Sequence, residues 1–501
     1  MPTSSPHPAR RPLVMACIMV SMFMVAIEST IIATAMPRIV RQLGDFSLYS
    51  WVFSAFLMAQ SATTVIYGRL ADIHGRRPVL FAGIAVFLAG SLLCGLAWSM
   101  PSLILFRLLQ GLGAGAILPV GTTVVGDLYP PEERARVQGL LASVWAVSAV
   151  IGPMAGAVLV ERVSWSWVFW INIPIGLLTV AGLAYALRET VERRTASVDY
   201  PGALIFAGCV GALLMLLTLA GGDASWRGPG MLVAGLALLA GVPLLLWQES
   251  RVAAPMIALD LWRERIIQSA NGATLLAGMG LIGLSALLPV YVQGVVGASP
   301  LASGFTLTAM SLGWPLAASQ TGRINRHLGM RNTTRLGTGL FVLGTVPLLF
   351  LDADSLLPLA ALASFLVGLG MGLFTTTCVL LVQGSTGWSR RGAATASNVF
   401  SRLLGSTLGV ALLGGILNLG AQSALRATGS ADSTGKIRNI LGEGGMAGPV
   451  EPALRAALLH GLHWAFWAVF ALAVLSFLLT LRIPHPAAQP HLGDSARPQE
   501  S

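Results

Sequence analysis

Charge is scarce in this chain. Only 10% of its 501 residues are Asp, Glu, Lys or Arg, and 55% are hydrophobic; a soluble globular chain carries roughly 25% charged residues. So little charge cannot cover a water-facing surface of this size, which leaves lipid as the solvent. Lysine is nearly missing: of 31 basic residues one is lysine, Lys436. The net charge of +10 lies in short loops between apolar runs and not in a patch, which argues against nucleic acid as a partner. Cysteine is rare as well. Cys17, Cys94, Cys209 and Cys378 all fall inside apolar runs, fit no metal-ligand spacing and leave no loop thiol for an exposed disulfide. They read as small packing residues, and neither a metal nor a cofactor is expected. No G-x-x-x-x-G-K-[ST] loop is present, which excludes a nucleotide-driven pump of that class. A channel needs a ring of charges or a filter loop, and neither is visible. A membrane-embedded enzyme needs a cluster of His, Asp, Glu or Cys within the bilayer, and the apolar runs carry none.

What the chain has in abundance is apolar stretches long enough to cross a bilayer, which takes about 20 residues. They lie at about 13–36, 50–67, 79–98, 103–125, 138–160, 167–187, 202–220, 231–247, 267–290, 302–320, 336–351, 357–382, 394–419 and 458–481. That predicts an all-α polytopic membrane protein with fourteen transmembrane helices. The first stretch resembles a signal peptide, with Arg10 and Arg11 ahead and Ala33-Thr34-Ala35 behind. It is too long for an h-region and carries a glutamate, so it reads as a retained span. Fourteen spans place both ends on one side. That side would hold 21 basic residues and the other 8, with Arg107 and Arg402 inside spans. The asymmetry predicts cytoplasmic termini and residence in the cell (inner) membrane.

An internal repeat shortens the list of folds. Gly68 recurs as Gly322, an offset of 254; the run 111–115 recurs at 368–372, an offset of 257; Gly152 and Gly156 recur as Gly405 and Gly409, an offset of 253. Six spans fill each copy, and the two left over form an inserted hairpin. The expected organisation is a tail over 1–12, a six-helix bundle over 13–190, the hairpin over 199–265, a second six-helix bundle over 266–483 and a disordered tail over 484–501. A short helix is expected within the glycine-rich loop 420–455. Two related halves are a common plan of membrane transporters.

Three charges sit within the apolar stretches: Glu28, Arg107 and Arg402. An ionised carboxylate at membrane depth costs several kcal/mol, which makes Glu28 a natural proton carrier. Guanidinium does not titrate in this range, so Arg107 needs an anion or a polar cavity, reached directly or through water and Gln110. The loop 68–78 packs four charged residues and two glycines between two spans, with Asp72 and Arg76 four apart. Gly152 and Gly156 strip one face of the fifth span, and Pro153 bends it.

These residues carry a family resemblance. Residues 68–80 resemble the loop motif G-x-L-a-D-x-x-G-R-[KR]-x-x-L, Arg107 to Gly111 the span 4 motif R-x-x-Q-G, and Gly152 to Gly156 the antiporter motif G-P-x-x-G. Residues 28–37 resemble the span 1 motif of the 14-span branch, with glutamate for the usual aspartate. Residues 165–174 resemble its W-R-W-x-F-x-I-N-x-P, with Ser166 for arginine. The chain is thus similar to the 14-span drug:proton antiporters of the major facilitator superfamily, over nearly its whole length. The resemblance implies two six-helix bundles with an added hairpin. It implies export of small lipophilic or cationic compounds in exchange for protons; proton-coupled uptake or uniport is the alternative on the same fold. Glu28, Arg107 and Gln110 would couple protons. Gly68, Asp72, Gly75 and Arg76 would latch the cytoplasmic ends of the halves, Asp72 facing the start of span 13. Gly152, Pro153 and Gly156 would seal against proton leak. Thr30, Asn172 and Arg402 are candidates for the cavity. The implied partners are a small-molecule substrate, protons and lipid, with the chain a monomer, joined by periplasmic adaptors in a double-membrane bacterium.

Overall fold

The computed structural model describes residues 11–44, 48–187, 199–220, 228–252, 261–298, 300–387, 390–427 and 452–484. Among them the regular elements are helical: α1 Arg11–Leu43, α2 Tyr49–His74, α3 Arg76–Gly95, α4 Met100–Leu128, α5 Pro131–Arg162, α6 Trp167–Trp170, α7 Asn172–Ala186, α8 Tyr200–Ala220, α9 Pro229–Arg251, α10 Arg265–Val290, α11 Pro300–Thr345, α12 Leu357–Ser385, α13 Arg391–Ala427 and α14 Pro452–Leu481. Residues 1–10, most of the loop 420–455 with its expected short helix, and the tail from 485 lie outside the described residues.

Among the described residues ten helices are long and apolar enough to cross a membrane. The expected number of fourteen is not reached by that measure. Helices α2, α5 and α8 are not among the ten, and α11 counts once although it is broken. The break is Gly329, whose φ of 74° interrupts α11. Its counterpart 254 residues earlier is Gly75, with φ 97°, at the turn from α2 to α3. Both positions use the positive φ that glycine adopts without a side-chain clash. One chain reversal therefore serves both halves of the sequence.

The two halves repeat their packing too. A Cβ at Gly113 would run into the backbone N of Phe87, and one at Gly370 into the backbone N of Phe341. Gly111 leaves room for the carbonyl of Phe56, as Gly368 does for that of Met310. Helix α4 thus presses on α2 and α3 as α12 presses on the two arms of α11. Small residues at such crossings let backbones approach closely. Separate apolar cores follow, one around Phe87, Ile117 and Val124, the other around Phe341, Phe374 and Phe466.

The halves meet where α2 lies on α13, at Gly68 and Ala396, and where α5 lies on α11, at Gly139 and Ser319. Helix α8 covers the first seam: Phe206 and Val210 pack with Ala62 and Val65 of α2 and with Phe400 of α13, the two phenylalanine rings 5.4 Å apart. Helix α9 leans on α8 and leaves Leu236 and Leu239 exposed. Along α13 the contact between halves fades. Val399 is 5% exposed and belongs to the core of the first half, whereas Val410, three turns on, is 50% exposed. Polar contacts across the halves gather at the end of the molecule that carries the Gly75 turn.

Candidate functional site

Glu28 lies midway along α1 and is fully buried. Its Oε1 accepts a hydrogen bond from a terminal nitrogen of Arg107 at 2.8 Å, and its Oε2 accepts one from Nδ2 of Asn172 at 2.8 Å. Arg107, also fully buried, donates the same nitrogen to Oε1 of Gln110 at 2.7 Å and its Nε to the carbonyl of Val52 at 3.1 Å. The guanidinium sits over the ring of Phe56, 4.2 Å from its centroid. Gln110 continues the chain by donating to Oγ of Ser91 at 2.9 Å. Helices α1, α2, α3, α4 and α7 thus converge on one carboxylate.

Local sequence explains the convergence. Gly90 of α3 lies against Gln110 so closely that a Cβ there would fall 2.5 Å from the Gln110 backbone. Gly111 lets α4 approach α2, which brings Arg107 to the carbonyl of Val52. Asn172 begins α7 just after the short α6, so that its side chain faces α1. Burying two charges is costly unless each is paired and further hydrogen-bonded. Here the pair has four further polar partners: Asn172, Gln110, Val52 and, through Gln110, Ser91.

A second constellation bridges the halves. Asp72, at the end of α2, accepts hydrogen bonds from the backbone N–H of Gly392 at 3.0 Å and of Ala393 at 2.8 Å. These are first-turn N–H groups of α13, which have no partner within their own helix and carry the positive end of the helix dipole. Arg76 pairs with Asp72 at 3.2 Å and with Asp127 of α4 at 3.2 Å. Asp127 in turn meets Arg391 of α13 at 2.7 Å. Beside it Gln383 of α12 donates to the carbonyl of Thr122 at 3.4 Å. Gly68 lets α2 press on Ala396 and Gly392 of α13, and Gly75 supplies the turn that swings Arg76 back toward Asp72.

The family model of the Major Facilitator Superfamily matches residues 18–208 and 200–410. The chain belongs to the major facilitator superfamily. It is 33% identical over 414 residues to the multidrug transporter protein MdtP of Bacillus subtilis, covering 82% of this chain and 76% of that one. It is 32% identical over 416 residues to multidrug resistance protein 3 of the same organism, covering 83% and 81%. With the efflux pump FUS6 of Gibberella moniliformis it shares 30% over 460 residues, covering 89% and 80%. Solved structures agree in fold. The human organic anion transporter MFSD10 superposes with a TM-score of 0.66 at 15% identity, covering 95% of this chain and all of that one. The proton:xylose symporter XylE gives 0.60 at 13% identity, covering 94% and 95%.

Within this superfamily fold the residues singled out by sequence fall into three places. Glu28, Arg107 and Gln110 come together, and Arg107 reaches Glu28 directly. Gly68, Asp72, Gly75 and Arg76 come together at the seam. Two residues expected to line a cavity are placed otherwise: Asn172 is fully buried on Glu28, and Thr30 turns to α5, its Oγ1 donating to the carbonyl of Ser148 at 3.2 Å. Gly152 makes that contact possible, since a Cβ would strike Oγ1 of Thr30. Gly156 is buried one turn further along α5 beyond Pro153. Arg402 stays apart from both constellations. Sequence reasoning missed Asp127 and Arg391. Their signal was faint: an acid closing an apolar stretch and a basic residue opening another, 264 positions away.

Proposed function

We propose that the chain exports small lipophilic compounds from the cytoplasm in exchange for protons, by alternating access between its two halves. Its relatives' names, multidrug transporter and efflux pump, support the direction and the breadth of substrate. The observation that carries the proton half is Glu28, a fully buried carboxylate held by one cation and one amide. Uptake of a proton would cancel the charge that Arg107 pairs with. Arg107 would keep the Val52 carbonyl and Gln110 as acceptors. The Oδ1 of Asn172, which accepts no hydrogen bond among the described residues, would accept the new Glu28 O–H after a half-turn of its amide.

Gly68, Asp72, Gly75 and Arg76, with Asp127 and Arg391, form the latch in this reading. It is closed here, on the side that the arginine distribution assigns to the cytoplasm, with both termini on that side of the inner membrane. Gly152, Pro153 and Gly156 hold α5 against α1 and keep protons from leaking beside Glu28. The hairpin 199–265 covers the seam between α2 and α13 on the lipid side, and the protein works as a monomer. The driving force is sufficient: at about 100 mV a proton gains about 2.3 kcal/mol, and one pH unit adds about 1.4 kcal/mol. The test is efflux into inverted membrane vesicles over a panel of dyes and drugs, with and without an uncoupler. Accumulation that collapses with the uncoupler is expected; accumulation that ignores it would contradict proton exchange.

A further inference from the structure

Arg402 is the charge that neither constellation uses. It lies midway along α13, and its backbone packs against Gly278 of α10, where a Cβ would come 2.8 Å from the Arg402 carbonyl. Among the described residues its guanidinium has no hydrogen-bond or ion-pair partner. The acids of both constellations are taken: Glu28 by Arg107, Asp72 by Arg76, and Asp127 by Arg76 and Arg391. An arginine at this depth without a counter-charge is costly. In the first half that cost is met by an ion pair; in the second half no described residue meets it.

The surroundings of Arg402 show where it points. Residues four apart on a helix share a face. Asn398, one turn before Arg402, is buried, and Arg402 and Ser406, one turn after it, are half-buried; Val410, Gly414 and Asn418, which are exposed, turn progressively away from that face by about 40° per step. The closed end of this stripe is polar. Asn398 donates to Oδ1 of Asn271 at 3.0 Å and to Oγ1 of Thr274 at 3.2 Å, both on α10. A stripe of Asn, Arg and Ser at mid-membrane belongs against a water-filled space and not against lipid. It starts beside Val399, which still touches the core of the first half. Arg402 therefore stands at membrane depth beside a ledge of neutral polar groups, with no counter-charge among the described residues.

We infer that Arg402 is an anion-binding group of the substrate cleft: the transported compound carries a carboxylate, sulfonate or phosphate group that docks on its guanidinium, with the Ser406 hydroxyl one turn above. The inference rests on the export reading for the word substrate, and it narrows that reading. Cationic cargo would meet an unscreened positive charge here, whereas a lipophilic acid would complete the pair. A planar guanidinium suits an oxyanion better than an ammonium does, because it offers two parallel donors.

The test uses two dyes of one scaffold, the anionic 1-anilinonaphthalene-8-sulfonate and the neutral N-phenyl-1-naphthylamine. Each is titrated into the full chain in phosphatidylcholine nanodiscs and read against empty nanodiscs. The parent should bind the sulfonate more tightly than the amine. Arg402→Gln should weaken the sulfonate about tenfold or more, the loss of one charge-assisted contact, and leave the amine unchanged. Arg402→Lys, which keeps the charge, should retain a preference for the sulfonate. Unchanged sulfonate affinity in Arg402→Gln, or an equal loss for both dyes, would overturn the inference. Export is scored separately in proteoliposomes under an imposed proton gradient. If the parent moves neither dye, the export reading fails, while the anion site is still decided by the titration.

Discussion

Replacing Asp72 by asparagine isolates the latch from everything else in the molecule. The carboxylate accepts two first-turn N–H groups of α13, at 3.0 and 2.8 Å, and pairs with Arg76 at 3.2 Å. Asparagine keeps one acceptor oxygen and turns an N–H₂ toward the other donor. One charge-assisted hydrogen bond is lost, worth about 1.5–3 kcal/mol. Arg76 keeps Asp127 as a partner, so no cation is stranded. The ratio of closed to open molecules at this end should therefore fall by roughly ten- to a hundredfold, at about 1.4 kcal/mol per decade. The assay is the labelling rate of a single cysteine at Ala396, which is fully buried where α13 meets Gly68. The background lacks Cys17, Cys94, Cys209 and Cys378, all of which are buried. Asp72→Asn should speed labelling by about that factor and slow transport, while dye binding in the cleft is kept. A labelling rate and a transport rate both equal to the parent's would refute the latch and reduce the loop to a topological spacer.

The buried pair should behave as a unit. Arg107→Met strands Glu28 and should lower stability by about 3–5 kcal/mol, whereas Glu28→Met with Arg107→Met should recover most of that; thermal unfolding in detergent compares the three proteins. Gly90→Val should fail to assemble the network, because its Cβ would sit 2.5 Å from the Gln110 backbone; loss of a folded peak on size-exclusion chromatography is the readout. Phe206→Ala, at the junction of α2, α8 and α13, should cost about 3–5 kcal/mol, while Leu239→Ala on exposed α9 should stay within about 0.5 kcal/mol.

The legible part of this molecule was what the bilayer makes expensive. A glutamate and an arginine within apolar stretches had to be explained, and the explanation nearest to hand, that they meet, is what the geometry shows at 2.8 Å. The repeat was legible because close helix crossings tolerate only glycine, which fixes Gly111 and Gly368 at matching places. Asn172 and Thr30 find partners in neighbouring helices; a polar side chain in an apolar run has two outlets, a cavity or a neighbouring helix, and sequence does not choose between them. Asp127 and Arg391 went unseen for another reason. At the edge of the membrane a charge needs no explanation, so nothing marked these two as partners across 264 residues. The span count differs for a related reason: Gly329 turns the chain within α11, so one element holds two of the expected stretches.

The most direct test of proton exchange at Glu28 is proton flux in proteoliposomes loaded with a pH-sensitive dye, driven by an outward gradient of a transported compound. The parent should move protons inward as the compound leaves, and an uncoupler should abolish the pH change. Glu28→Gln, which keeps an acceptor for Arg107 but holds no proton, should still exchange the compound down its gradient with no accompanying pH change. A Glu28→Gln protein that moves protons as the parent does would contradict the account and require a different carrier.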